Sequence, residues 1–133
     1  MKCVEIPSKL EAARAVEEEI LNGVAAAGYD DSDGFAVRLA LEEAVNNAIK
    51  HGNRGNAAKR VRIGYEVTAD RICFQVSDEG AGFDPLGVSD PTADENLENP
   101  SGRGIMLMKA YMDEVQYNPR GNEVRLVKLK RKA

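Results

Sequence analysis

The sequence predicts an α+β fold, a two-layer α/β sandwich in which a mostly antiparallel mixed sheet carries helices on one face. Three observations point there. Two long stretches in the first half repeat apolar residues at three- and four-residue steps, the period of an amphipathic helix. Several short stretches alternate apolar and polar residues and are joined in pairs by short turns, as antiparallel hairpins are. The 133 residues are 43% hydrophobic and 30% charged, which fits one domain spanning 1–133 that buries roughly two-thirds of the surface its unfolded chain exposes.

The elements follow in order. Residues 2–6 (KCVEI) alternate and stop at Pro7, which reads as a short first strand. Ser8 followed by Glu11 matches a capping box opening a helix, along which Leu10, Ala13, Val16, Ile20 and Val24 form one stripe that ends near Gly23 to Gly28. A second helix is expected from about Asp33 to His51, with Phe35, Val37, Leu41, Ala44, Val45 and Ala48 buried and Gly52 as its stop. Residues 60–68 and 71–78 each alternate, and Ala69 and Asp70 between them make a hairpin turn. From Asp84 to Pro100 the chain holds three prolines and little periodicity, a stretch of seventeen residues; a loop this long inside a small domain makes it a candidate lid. Ile105, Leu107, Met108 and Met112 restore helical spacing, and DEVQYN and EVRLVKLK, joined by a turn over Pro119 to Asn122, close the chain as a second hairpin.

Composition removes several classes of function. Cys3 and Cys73 stand seventy positions apart in no CxxC pair, so no disulfide framework or zinc site is indicated and a reducing cytoplasm is expected. No apolar run approaches the roughly 18 residues of a membrane span, and no membrane partner is expected. A net charge of −4 with 5% aromatics argues against direct nucleic-acid binding.

Three segments carry chemistry. In LALEEAVNNAIKHGN, Glu43 and Asn47 lie four apart and would share a helix face, with Lys50 and His51 on the next turn. Such a row can supply an oxygen ligand for a divalent cation, a general base and positive charge for phosphates, although the same residue types also populate solvated helix faces. Asn47 stands out as a poor mid-helix residue. In QVSDEGAGFDP an apolar strand ends at Asp78 and runs into Gly80 and Gly82. A carboxylate there can accept from an exocyclic amino group such as adenine N6, and glycines would let a base come close to the backbone; a plain Gly-rich turn has the same composition. In PSGRGIMLM, Gly102 and Gly104 precede a helix, so free N–H groups and the helix dipole would favour phosphate, with Arg103 as a charged donor or a solvated side chain. Neither a GxxxxGK[ST] loop nor a GxGxxG after a strand is present.

In this order EEAVNNAIKHG, SDEGAGFDP and SGRGIMLMKAYMDEV resemble the N, G1 and G2 boxes of the GHKL (histidine-kinase-like) ATPase superfamily, over nearly the whole chain. They look most like its stand-alone anti-sigma-factor serine kinases and anti-sigma regulatory factors. The resemblance implies a Bergerat-type ATP-binding fold with ATP and Mg2+ as cofactors. It assigns Asn47 as the Mg2+ ligand, Glu43 as the catalytic base, Asp78 as the adenine anchor, and Gly80 and Gly82 as the adenine-side loop. Gly102, Arg103 and Gly104 would meet phosphates, as would Lys50, with His51 packed against the nucleotide. The implied activity is transfer of the γ-phosphate to a serine or threonine of an anti-anti-sigma (STAS-type) partner, in competition with a sigma factor, by a homodimer. A non-catalytic nucleotide-binding module is the alternative. Two features depart from the pattern: residues 84–100 hold no lysine or arginine, and Glu42 beside Glu43 leaves the base to helix phase.

Overall fold

A computed structural model describes residues 1–80 and 100–130, with side chains described for 1–80 and 106–130. The expected order appears: β1 (Lys2–Pro7), α1 (Leu10–Ala26), α2 (Asp31–Asn47) continuing into a π-helical turn (Ala48–Gly52), β2 (Arg60–Val67), β3 (Arg71–Asp78), α3 (Pro100–Tyr111), β4 (Glu114–Tyr117) and β5 (Glu123–Leu129). The strands form one sheet in the order β1-β2-β3-β5-β4. All of its pairings are antiparallel, so among the described residues the sheet is not mixed. Most of the candidate lid, residues 84–99, and Gly82 lie outside the described residues.

The sheet's alternation decides which face meets the helices. Ile63, Ile72, Phe74, Val76 and Leu126 are at most 2% exposed and pack with Val16, Ile20 and Val24 of α1, Val37, Leu41, Ala44 and Val45 of α2, and Met108 of α3 in one core. Burying aliphatic side chains of this size stabilises by about 1.5–3 kcal/mol each before chain entropy is counted. α2 packs against both α1 and α3, and the π-helical turn that continues it meets β3 of the sheet.

Three local expectations change. Ser8 and Glu11 do not form a capping box: the N-cap of α1 is Lys9, with no side-chain cap. The Ser8 hydroxyl donates to the Lys59 carbonyl at 2.8 Å instead, joining the β1–α1 junction to the start of β2. α2 begins two residues early because Asp30 caps it, its carboxylate accepting from the Asp33 N–H at 2.8 Å. Phe35 is 57% exposed, touching Tyr111 edge-on at 6.1 Å, because the buried stripe of α2 runs through Ala36, Val37, Ala40, Leu41 and Ala44. The aromatic ring falls outside that stripe.

Candidate functional site

The site is built where the end of α2 meets the end of β3. The last turn of α2 widens into a π-helix, in which Asn53 N–H donates to the Ala48 carbonyl five residues back at 2.8 Å. A small cleft of about 70 Å³ forms there, lined by Ala44, Asn47, Ala48, His51 and Gly52 from the helix side and by Val76, Asp78, Tyr117, Gly121, Asn122, Glu123 and Val124 from the sheet side.

Asp78, the last residue of β3, is half-buried in this cleft, and three contacts hold it. Its N–H donates to the Asn122 carbonyl at 2.9 Å. Its carboxylate Oδ1 accepts from the Gly80 N–H at 2.8 Å. Gly52 presses against it from the helix, since a Cβ on Gly52 would lie 2.2 Å from Asp78 Oδ2. Gly80 is as tightly placed, because a Cβ there would lie 2.0 Å from the Gly52 carbonyl oxygen. Two glycines thus let helix and strand approach with the carboxylate wedged between them. Burial pushes the Asp78 carboxyl above its ordinary range, while the Gly80 N–H and the Lys59 charge pull the other way. The Tyr117 hydroxyl is pushed up by burial first and then by the Asp78 charge.

Asn47 lines the cleft on the helix side, and its Nδ2 is buried with no hydrogen-bond partner among the described residues. A buried unpaired amide NH2 is uncommon in native proteins, and as a donor it fits a bound acceptor such as a phosphate oxygen, whereas a cation would need the amide oxygen of the same side chain. Among the described residues no group of three or more His, Cys, Asp or Glu side chains could hold a metal. A Mg2+ here would therefore draw on an Asn47 oxygen, phosphate oxygens and water, the usual arrangement for a hard cation that keeps several waters.

The other expected residues divide. His51 joins Asn47 and Asp78 in the cleft lining. Glu43, half-buried one turn before Asn47, and the exposed Lys50 do not line it, so acid, amide, ammonium and imidazole do not all converge as an unbroken α-helical face would have them do. The π-turn changes the phase of the residues after Asn47, which brings His51 toward the Asn47 face and turns Lys50 further from it. Helix phase does separate Glu43 from its neighbour. Glu42 lines a different groove, between α1 and α2, and hydrogen-bonds Glu17. Gly80 stands against Gly52 at the cleft edge. The glycines expected just ahead of the third helix lie inside it: α3 begins at Pro100, so Gly102, Arg103 and Gly104 fall in its opening turns, where the first backbone N–H groups lack intrahelical acceptors.

Sequence reading missed Asn53, Tyr117 and Asn122. Asn53 is 1% exposed and bonds three separate segments. Its position just after the expected helix stop was the available signal, because a buried Asn beside a glycine stop usually satisfies backbone groups. Tyr117 and Asn122 had no local signal, as they reach the cleft only because β5 pairs with β3 and β4 with β5.

A single antiparallel sheet with helices packed on one face, and a cleft between one helix end and one strand end, defines the class of two-layer α/β sandwich domains. The chain belongs to the family described as the histidine kinase-like ATPase domain, whose model matches residues 6–128. Among its curated relatives is a protein named serine-protein kinase RsbW from Oceanobacillus iheyensis, 29% identical over 122 residues, covering 86% of this chain and 77% of that protein. Another of the same name from Staphylococcus epidermidis is 32% identical over 119 residues, covering 81% and 74%. A solved structure of the RsbU and RsbW domains of Rv1364c from Mycobacterium tuberculosis covers all of this chain with a TM-score of 0.64 at 18% identity, and this chain spans 34% of that one. No helix among the described residues is long and apolar enough to cross a membrane.

Proposed function

We propose that this chain binds Mg-ATP in the cleft between α2 and β3, as one ATP-binding unit over residues 1–133, and acts as a protein-serine/threonine kinase in partner switching. The observation that carries the reading is the Asp78 carboxylate, wedged between Gly52 and Gly80 at the cleft edge with Asn47 on the facing helix. A fixed carboxylate beside backbone of little bulk accepts from an exocyclic amino group, which favours adenine over bases that carry an oxygen there. Asn47 would supply an oxygen to Mg2+, which when bound neutralises phosphate charge. His51 would pack against the nucleotide. The N–H groups opening α3, with Gly102, Arg103 and Gly104, would meet phosphates, as Gly82 would border the base and Lys50 would add charge.

In this reading Glu43 accepts the proton of the attacking hydroxyl, and the hydroxyl belongs to a serine or threonine of an anti-anti-sigma, STAS-type protein. Phosphoryl transfer rests chiefly on positioning and charge, so one base and one metal ligand suffice. The unphosphorylated partner would compete with a sigma factor for a cytoplasmic homodimer. The names of the curated relatives support a kinase. One observation favours a second reading, a binding module that uses nucleotide only to shape its surface: Glu43 does not line the cleft among the described residues.

Calorimetric titration of Mg-ATP into wild type and Asp78→Asn tests the site. Loss of a charged hydrogen bond of about 1.5–3 kcal/mol weakens binding roughly ten- to hundredfold. Equal affinity in the two proteins would remove Asp78 from the site. Labelled-phosphate transfer to a STAS-type acceptor then separates the readings: Glu43→Ala abolishes transfer if the chain is a kinase, and an absence of transfer by wild type leaves the binding module.

A further inference from the structure

Asn53 takes no part in the nucleotide contacts proposed above, yet its buried side chain makes three hydrogen bonds. Its Nδ2 donates to the Ser8 hydroxyl oxygen at 2.9 Å and to the Arg60 carbonyl at 3.0 Å. Its Oδ1 accepts from the Glu79 N–H at 2.9 Å. The amide orientation follows from these partners, because a flipped Asn53 would set its oxygen against the Arg60 carbonyl and its NH2 against an N–H donor.

The bond to Glu79 falls where the sheet stops. The β2–β3 pairing ends at Val61 with Asp78, and the β3–β5 pairing ends at Ser77 with Glu123. Beyond these the chain must find other acceptors for each amide. Three successive N–H groups do so: Asp78 to the Asn122 carbonyl, Glu79 to Asn53 Oδ1, and Gly80 to Asp78 Oδ1. The first acceptor is backbone and the third is Asp78 itself. Asn53 is the one side chain from another element in this series, and it sits next to Gly52, whose backbone already touches the Asp78 carboxylate.

We infer that Asn53 is a positioning residue: by holding the Glu79 N–H it fixes the Asp78–Gly80 turn, and it thereby sets how strongly the cleft prefers a 6-amino purine over a 6-oxo purine. The inference rests on Asp78 being the adenine acceptor. Without Asn53 the turn loses its tie to the helix, the carboxylate can shift, and the hydrogen bond that distinguishes the two bases weakens. Contacts to sugar and phosphates, made elsewhere, persist. A change confined to packing or stability would weaken ATP and ITP alike, whereas this role predicts loss of the ratio between them.

The experiment measures Mg-ATP and Mg-ITP affinity by calorimetry for wild type, Asn53→Ala, Asp78→Asn, the double variant and Ser8→Ala, with circular dichroism as the check of folding. Wild type is expected to prefer ATP by about tenfold or more. Asn53→Ala reduces that preference severalfold, chiefly through weaker ATP binding, and Asn53→Ala adds nothing to the ratio in the Asp78→Asn background. Ser8→Ala, which removes a partner of Nδ2 but leaves Oδ1 on Glu79, keeps the wild-type ratio. Asn53→Ser carries the same comparison if the alanine variant does not fold. A wild type that binds both nucleotides equally would overturn the Asp78 reading and this inference with it. A preference retained by folded Asn53→Ala or Asn53→Ser would overturn the inference alone.

Discussion

Gly52→Ala is the most direct test of how the cleft is built. The added Cβ would stand 2.2 Å from Asp78 Cγ and Oδ2 and 2.5 Å from Oδ1. Nonbonded carbons settle at about 3.5–4.0 Å, so the carboxylate must retreat by more than ~1 Å. It cannot do so freely, because Oδ1 is held by the Gly80 N–H at 2.8 Å and the Asp78 N–H by Asn122 at 2.9 Å. Rotation of the carboxylate loses a charged hydrogen bond of about 1.5–3 kcal/mol, and movement of the strand end instead incurs overpacking of about 1–3 kcal/mol. Alanine's better helix propensity returns about 0.5–1 kcal/mol. The net expectation is a loss of about 1–2 kcal/mol in urea melts and an ATP affinity at least tenfold weaker by calorimetry. Gly34→Ala is the control, with nothing within 4 Å of its added Cβ; it should gain stability and bind as wild type does. A folded Gly52→Ala protein with unchanged ATP affinity would refute the claim that the Gly52–Asp78 contact shapes the nucleotide site.

Two further outcomes are expected away from the cleft. Burial, and then the hydrogen bond and charge of Glu42, raise the Glu17 carboxyl to about 7 from its ordinary 4.5, against the pull of Arg38. The folded state therefore holds a proton that the unfolded chain releases, and stability falls as pH rises from about 4.5 to about 7. Glu17→Gln should match wild type below that window and exceed it above by about 1–3 kcal/mol, read from urea midpoints across pH; a constant difference at every pH would contradict it. Lys128 and Asp33, both nearly buried, pair at 3.8 Å between β5 and the first turn of α2. Lys128→Met should cost about 3 kcal/mol by stranding the Asp33 carboxylate, and adding Asp33→Asn should recover part of it; a loss below about 0.5 kcal/mol in thermal melts would mean that the pair contributes nothing.

Much of the fold was legible in the sequence because its signals are local. The three- and four-residue spacing of Val16, Ile20 and Val24 requires only one helix to be read, and the alternation over 60–67 and 71–78 only one hairpin. Asn47 and Asp78 were equally legible, an amide where helices disfavour it and an acid where a strand runs into glycines. Phe35 shows where this reading fails: an aromatic residue in a helical pattern reads as core, but the buried stripe of α2 includes Ala36, Ala40 and Ala44, which carry little hydrophobic signal.

The sequence by itself determined the element order, most of the apolar face of each element and the two polar residues that face each other across the cleft. Only the tertiary structure decided which residues surround them. Tyr117 and Asn122 enter because β5 inserts between β3 and β4, Lys50 leaves because the helix widens into a π-turn, Glu42 faces the groove against α1, and Asn53 closes the site by bonding the β1–α1 junction, β2 and the residue after β3. The reason is one of range: periodicity is written in neighbours a few residues apart, whereas a hydrogen bond between residues 26 or 45 positions apart exists only after the sheet has fixed where distant segments meet.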